Sequence, residues 1–200
     1  MKPTPELFAS FKTHINQFVK ISDDEFEDVL GYFRVKKLKK SAVLIRAGED
    51  VTHTYWVRNG MLISTFVDKD GREHVIQFAF ENCWVTDQIA FYNKEKAMFT
   101  ISAIESSELL SISFDDREQL CADIRAMETF FRRKANDSFA KQQKRLLTYL
   151  TSEAHERLDF VMTESPPQVK RLSKKLLAAY VGVSRETLSR PALQRTRRKK

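Results

Sequence analysis

The chain has 200 residues, 42% of them hydrophobic, which is enough for one large or two small domains with a real core. No apolar run is long enough to span a membrane, and two cysteines, Cys83 and Cys121, imply neither a disulfide framework nor a metal cluster, so we expect a cytoplasmic protein. The formal net charge is +7, and it is concentrated: residues 165–200 hold 11 basic residues and one acidic residue. Such a basic end is typical of a nucleic-acid-binding module.

The first part of the chain predicts two helices. Apolar residues recur at helical spacing over residues 5–20, with polar residues between them, so we expect a helix of the mature protein and no signal peptide. Ser22 and Glu25 have the spacing of a capping box. They predict that a second helix begins at Asp23 and runs to Phe33.

The pattern then changes to short β runs, from Val35 to about Ser113. Turn residues separate the runs, and Asp68 to Gly71 between two alternating segments is a strong hairpin signal. Many short strands with regular turns predict a small barrel or roll. The candidate strands are residues 43–45, 54–57, 61–67, 74–80, 99–104 and 108–112.

After Ser113 the helical period returns, and neither Gly nor Pro occurs between Asp115 and Glu164. An apolar stripe over this segment predicts a long helix, from residue 116 to residue 150. A helix of this length cannot bury its whole stripe on a compact roll, so we expect a homodimer, the alternative being packing on its own domain. The candidate dimer residues are Met127, Phe131, Ala135 and Phe139.

Pro166-Pro167 marks the entry to two short helices with a sharp turn between them. Ser173 and Ser184 are each placed to cap a helix, and Gly182 supplies the backbone freedom for the turn. Ala178 is small at the point where a second helix must cross closely.

The second helix of this pair has a chemically distinct face. At 100° per residue, Arg185, Glu186 and Arg190 share one side, and Leu188 points away from it. Arginine pairs with guanine and glutamate accepts from cytosine in the major groove, which favours a DNA-reading helix. The alternative is an amphipathic helix pair packed in some other kind of domain.

The order of these parts, and several motifs within them, resembles the Crp/Fnr superfamily of bacterial transcription regulators. The motifs are Leu44 to Glu49, Tyr55 to Gly60, Asp68 to Glu73 and Gly182 to Arg190. The resemblance implies an α+β fold: an N-terminal double-stranded β-roll with flanking helices (residues 1–115), a long dimerisation helix (116–150) and a C-terminal helix-turn-helix with a basic tail (151–200).

The same resemblance implies a homodimeric regulator of double-stranded DNA that also meets RNA polymerase, with no catalytic or metal-binding residues. It assigns base reading to Arg185, Glu186 and Arg190. It assigns contacts with the DNA backbone to Ser173, Lys174, Ser184 and Thr187.

The candidate effector pocket departs from the pattern of the cyclic-AMP-binding members. Those members place a Gly-Glu pair before a short helix, to hold the ribose, and an Arg-Ser or Arg-Thr pair after it, to hold the cyclic phosphate. The first pair here is Thr86-Asp87, followed by Gln88, and the second pair falls at Ala97-Met98. An apolar residue cannot offset a buried phosphate charge, so cyclic AMP is not expected to bind.

No other cofactor is expected, and no effector can be named. The oxygen-sensing members of the family hold an iron-sulfur cluster on four cysteines, and this chain has two. The segment from Thr86 to Met98, which we call the cassette, is altered, and the chain ends soon after the reading helix. In both respects it is similar to the Crp-like regulators of Bacteroidetes.

Two rival functions remain open. A sensor module that acts on a protein partner without binding DNA is favoured by Pro191, which disfavours continuation of the reading helix. A cupin-type metalloenzyme is also a small β-barrel, but His53 and His74 do not form the clustered ligand set that it needs.

Overall fold

The structure, a computed structural model, describes residues 5–164 and 166–189. The chain divides into two compact units at the Asp137–Ser138 bond. The helices are α1 (Pro5–Asn16), α2 (Asp23–Gly31), α3 (Gln88–Asn93), α4 (Phe114–Asp123), α5 (Arg125–Thr151), α6 (Ala154–Glu164), α7 (Pro166–Val169), α8 (Lys174–Val181) and α9 (Arg185–Ser189). The strands are β1 (Arg34–Leu38), β2 (Val43–Ile45), β3 (His53–Asn59), β4 (Leu62–Val67), β5 (Glu73–Ala79), β6 (Trp84–Val85), β7 (Thr100–Ala103) and β8 (Ser107–Ser113).

The first unit is a β-roll of two antiparallel sheets. Their strand orders are β1-β8-β3-β6 and β2-β7-β4-β5. The hairpin predicted at Asp68 to Gly71 joins β4 to β5, and the Asp68 carboxylate accepts hydrogen bonds from the N–H groups of Asp70 and Arg72, both at 2.9 Å. This Asx-type pairing holds the turn closed and fixes the register of the two strands.

Helices cover one face of the first sheet, and the second sheet covers the other. Trp56 on β3 is fully buried against α1, α2, α4 and the first turns of α5, whereas its neighbours Tyr55 and Val57 lie in the core between the sheets. Burial on both faces explains why three consecutive residues of β3, Tyr55, Trp56 and Val57, are apolar in place of an alternating pattern.

His14 on α1 is a titratable group within the helix-side core; it is 2% exposed and accepts a hydrogen bond from Trp84 Nε1 at 3.3 Å. Burial, and secondarily the positive charge of Lys134, lower the pKa of His14 to about 4. The ring is therefore neutral at physiological pH, as expected of a core histidine.

The capping box at Ser22 and Glu25 is confirmed, since the Ser22 side chain accepts from the Glu25 N–H and the Glu25 carboxylate accepts from the Ser22 N–H. Strands β1 and β6 were not among the candidate strands. The first is an edge strand with a lysine-rich sequence, and the second spans only Trp84 and Val85.

The long helix differs from its expected course and begins at Arg125, not at residue 116. The preceding segment is a separate helix, α4, which ends where Ile124 takes an extended backbone (φ −123°, ψ 99°). Ile124 and Leu120 both lie in the helix-side core, so the bend serves tertiary packing. Within the described ranges, no helix combines the length and the apolar character that a bilayer crossing requires.

Candidate nucleic-acid interface and effector pocket

The predicted helix pair is present in the second unit as α8 and α9. Ser173 caps α8, and its hydroxyl accepts a hydrogen bond from the Leu176 N–H at 3.3 Å. Ser184 caps α9 in the same way, accepting from the Thr187 N–H at 3.1 Å. Capping at the start of each helix satisfies N–H groups that a helix leaves unpaired, and it sets where each helix begins.

The turn between the helices depends on Gly182. Its backbone is left-handed (φ 77°, ψ 40°), and its N–H donates to the Ala178 carbonyl, as in a glycine-terminated helix. A Cβ at this position would also stand 3.3 Å from a ring carbon of Tyr149, which leaves little room for a side chain. The left-handed conformation therefore favours glycine, and a larger residue would also have to displace the Tyr149 ring.

Among the described side chains of α9, the apolar Leu188 lies inward and the polar Glu186 lies outward. Leu188 is 7% exposed, whereas Glu186 is solvent-exposed. The hydroxyls of Ser184 and Thr187 lie 3.1 Å apart at the start of the helix. Arg185 is the first residue of α9, and Arg190 and Pro191 lie outside the described residues.

The residues predicted to contact the DNA backbone lie at the N-terminal ends of these two helices. Ser173 and Lys174 are exposed at the start of α8, and Ser184 is exposed with Thr187 half-buried at the start of α9. Helix N-termini carry partial positive charge and unpaired N–H groups, so they attract phosphate. The lysine adds a full positive charge at the same end.

The candidate effector pocket is brought together around Asp87, which is fully buried. The Asp87 carboxylate caps α3 through the Ala90 N–H at 3.3 Å. Its other oxygen accepts from the N–H groups of Met98 at 2.7 Å and Phe99 at 3.2 Å. One side chain thus ties together the two ends of the predicted cassette by bonds within the protein.

The remaining cassette residues also make internal contacts or face solvent. The Thr86 hydroxyl donates to the His53 carbonyl at 2.9 Å, and the buried Ala97 exchanges backbone hydrogen bonds with Gly48 and Glu49. Gln88 is exposed, and the Met98 side chain is 46% exposed.

The two lysines nearest the pocket have other neighbours. Lys94 lies over the Phe114 ring, with its Nζ 5.2 Å from the ring centroid. Lys96 pairs with Asp50 at 2.7 Å. Sequence reasoning identified the shortened acid at position 87 but missed that its carboxylate binds the N–H groups on the far side of the cassette.

The four candidate dimer residues separate into two classes. Met127 and Phe131 are buried in the core of the first unit, so the assignment of these two side chains to a dimer interface is wrong. Ala135 is exposed, and Phe139 is 64% exposed. The exposed apolar residues of α5 continue beyond the four candidates and include Leu146, Leu147, Tyr149 and Leu150.

Comparisons with known proteins agree with this architecture. Residues 35–123 match the family described as "Cyclic nucleotide-binding domain". An "Anaerobic regulatory protein" of Aggregatibacter actinomycetemcomitans is 24% identical over 178 residues, which cover 84% of this chain and 68% of that relative.

Solved structures share the fold at lower identity. The c-di-GMP-responsive global regulator CLP of Xanthomonas campestris has a TM-score of 0.69 and 17% identity, covering 88% of this chain and 92% of that one. The catabolite activator protein of Thermus thermophilus has a TM-score of 0.56 and 18% identity, covering 90% and 84%. The predicted α+β fold is therefore confirmed.

The role of Asp87 gives a testable expectation for stability. In the Asp87→Asn variant one carboxylate oxygen becomes an NH₂ group, which cannot accept from Met98 and Phe99 while the remaining oxygen serves Ala90. We expect the free energy of unfolding to fall by about 1–3 kcal/mol, because two partly buried N–H groups lose their acceptor. The measurement is urea unfolding followed by tryptophan fluorescence, since Trp56 and Trp84 are the two tryptophans of the chain and both lie in the first unit.

The control is Asp50→Asn, which removes an exposed carboxylate from the neighbouring pair with Lys96 and should leave the unfolding midpoint close to that of the wild type. Equal midpoints for the wild type and Asp87→Asn would show that the bonds from the N–H groups of Met98 and Phe99 are not needed for stability.

Proposed function

We propose that this chain is a transcription regulator of the Crp/Fnr type and acts as a homodimer that places helix α9 of each copy in a major groove of DNA. The observation that carries the proposal is the capped helix pair α8–Gly182–α9 with its exposed polar face. In DNA-binding helix pairs of this kind the second helix reads bases with its N-terminal residues, and the first helix crosses the backbone. A role on chromosomal DNA places the protein in the cytoplasm.

On the DNA side, we assign base reading to Arg185, Glu186 and Arg190. Arginine offers paired donors that fit guanine, and glutamate accepts from the amino group of cytosine. Ser173, Lys174, Ser184 and Thr187 are assigned to phosphate contacts, because they cluster at the two helix N-termini. Phosphate contacts fix the register of the protein on DNA, and base contacts supply its sequence preference.

The dimer rests on the second half of α5. Phe139, Leu146 and Leu150 lie within about 40° of one another around the helix axis at 100° per residue, so they form one apolar stripe. Their side chains are 64%, 57% and 70% exposed. A stripe of this kind on a long helix fits a second copy of the same helix, which would bring two reading helices to one operator. The operator is then a near-palindrome with half-sites about 34 Å apart.

Cyclic AMP is not the effector in this proposal. The carboxylate that replaces the ribose-holding glutamate already accepts three backbone hydrogen bonds, and the position of the phosphate-binding arginine holds Ala97. A ligand shifts a conformational equilibrium only through a difference in affinity for the two states. Because cyclic AMP would lack this arginine as a partner for its phosphate, we expect it to bind neither state well enough to shift the equilibrium.

RNA polymerase is the further partner that we propose, because a regulator of transcription acts on that enzyme. No catalytic role is part of the proposal. The alternative, a sensor that does not bind DNA, depends on Pro191, which lies outside the described residues. The relative that the chain matches is a regulatory protein, and we therefore favour the DNA-binding function.

The base-reading assignment is tested by selecting binding sites from random DNA with the purified chain and then measuring affinities on the selected site. We expect a near-palindrome to be enriched. Arg185→Ala should lower the affinity by ~1–3 kcal/mol and relax preference at one base pair of each half-site. Lys174→Ala should weaken binding equally on all sequences and reduce the salt slope by about 1.

The control for the loss of a positive charge is Arg72→Ala, which makes the same substitution in the exposed turn between β4 and β5. This variant should keep the DNA affinity and the sequence preference of the wild type. A loss with Arg185→Ala that is equal on every sequence would remove this residue from base reading. Absence of any enriched sequence would contradict the proposed function as a whole.

The effector proposal is tested by thermal unfolding of the first unit, again followed by tryptophan fluorescence. Cyclic AMP at millimolar concentration should leave the melting temperature unchanged. A ligand present at 100 times its Kd would stabilise the fold by about 2.7 kcal/mol, which is a shift of several degrees. A rise in melting temperature that depends on nucleotide concentration would refute our assignment of the pocket.

A further inference from the structure

Arg157, on α6, makes an unusual pair of contacts within the second unit. Its Nε donates to the Val181 carbonyl at 2.9 Å, and one terminal guanidinium nitrogen donates to the Ser152 carbonyl at 2.7 Å. The guanidinium carbon lies 5.4 Å from the centroid of the Tyr149 ring. The side chain is half-buried.

The two carbonyls that Arg157 binds lie at the ends of two different helices. Val181 is the last residue of α8, directly before Gly182, and Ser152 directly follows α5. The last carbonyls of a helix lack partners within the helix and carry partial negative charge, which a cation stabilises. A planar guanidinium can donate in two fixed directions at once, whereas a lysine ammonium is a point charge.

Two aromatic contacts support the same connection. The Tyr149 ring, on α5, is the group that a Cβ at position 182 would approach, so this ring lies against both the turn glycine and Arg157. Arg145, one turn earlier on α5, places its guanidinium carbon 4.1 Å from the centroid of the Tyr180 ring on α8. The end of α5 is thus joined to the last turn of α8 through charge-assisted and cation–π contacts.

We propose that Arg157 is a positioning residue that fixes the turn before α9 against the end of α5, and so sets which spacing of half-sites the dimer accepts. The inference rests on the proposed function, because half-site spacing has meaning only for a dimer on DNA. Arg157 itself contacts no base. It acts by holding the reading helix in one orientation with respect to the helix that carries the dimer stripe.

The first test measures the affinity of wild type, Arg157→Gln and Arg157→Lys for a series of operators in which the spacer between the selected half-sites changes by one base pair at a time. We expect the wild type to prefer one spacer. In Arg157→Gln that preference should fall by about tenfold, the effect of losing one charge-assisted hydrogen bond. The spacer preference of Arg157→Lys should lie between those of the wild type and Arg157→Gln, because lysine keeps the positive charge but cannot donate to both carbonyls in two fixed directions.

The second test uses amide hydrogen exchange without DNA. The N–H groups of Gly182 and Val183 both donate to the Ala178 carbonyl in the turn. We expect them to exchange about tenfold faster in Arg157→Gln, because the turn loses its link to Ser152. Arg132→Gln, the same change at an exposed position of α5, should alter neither exchange nor spacing preference.

A purely structural role would lower affinity equally on every spacer, and that result, or unchanged exchange at Gly182 and Val183, would overturn the proposal. If Arg157→Gln does not fold, Arg157→Lys carries both tests. If the wild type itself enriches no DNA sequence, the proposed function fails, and the exchange measurement still shows whether Arg157 holds the turn.

Discussion

The helix α5 imposes the constraint on which the functional account depends, because its two halves have different surroundings. The first turns carry Met127, Phe130 and Phe131, which are buried in the core of the β-roll unit. The second half carries a stripe of large apolar side chains that the chain itself leaves exposed to more than half of their area. Apolar area in water costs about 25 cal/mol per Å², and an uncovered stripe of this kind favours association, as the proposed dimer requires. A second copy of α5 would cover it with identical chemistry.

In the proposed function, the same helix would connect association to DNA reading. Its last turns contact α8 through Arg145 and Tyr149, and Arg157 binds carbonyls at the end of both helices. A dimer formed on α5 would therefore hold two α9 helices at a defined separation. In the candidate effector pocket, the Asp87 carboxylate accepts hydrogen bonds from the backbone N–H groups of Met98 and Phe99, so its role within the chain is to hold the fold together.

Much of this architecture could be predicted from local chemistry. The capping box at Ser22, the hairpin at Asp68 and the caps at Ser173 and Ser184 depend on residues a few positions apart, so short-range patterns were sufficient. The break at Ile124 could not be predicted in this way. Neither glycine nor proline marks it, and the cause is the fit of Leu120 and Ile124 into a core assembled from distant segments.

The same limit applies to the candidate sites. Helical periodicity gives the face of a residue but not what covers that face, so Met127 and Phe139 looked equivalent in the sequence, although one is fully buried and the other is 64% exposed. Edge strand β1 was missed because its lysines obscure the alternation that marks a strand. The partners of Asp87 were missed because two of them lie more than ten residues away, across the cassette.

Sedimentation equilibrium tests the central claim, that the exposed stripe of α5 joins two copies of the chain. The wild type should sediment as a dimer at micromolar concentration. Phe139→Glu combined with Leu150→Glu should sediment as a monomer, because like charges would then face each other across the helix pair. The double variant should retain the tryptophan emission of the folded first unit. A wild type that remains monomeric at tens of micromolar would contradict the account, as would a dimer that survives both substitutions.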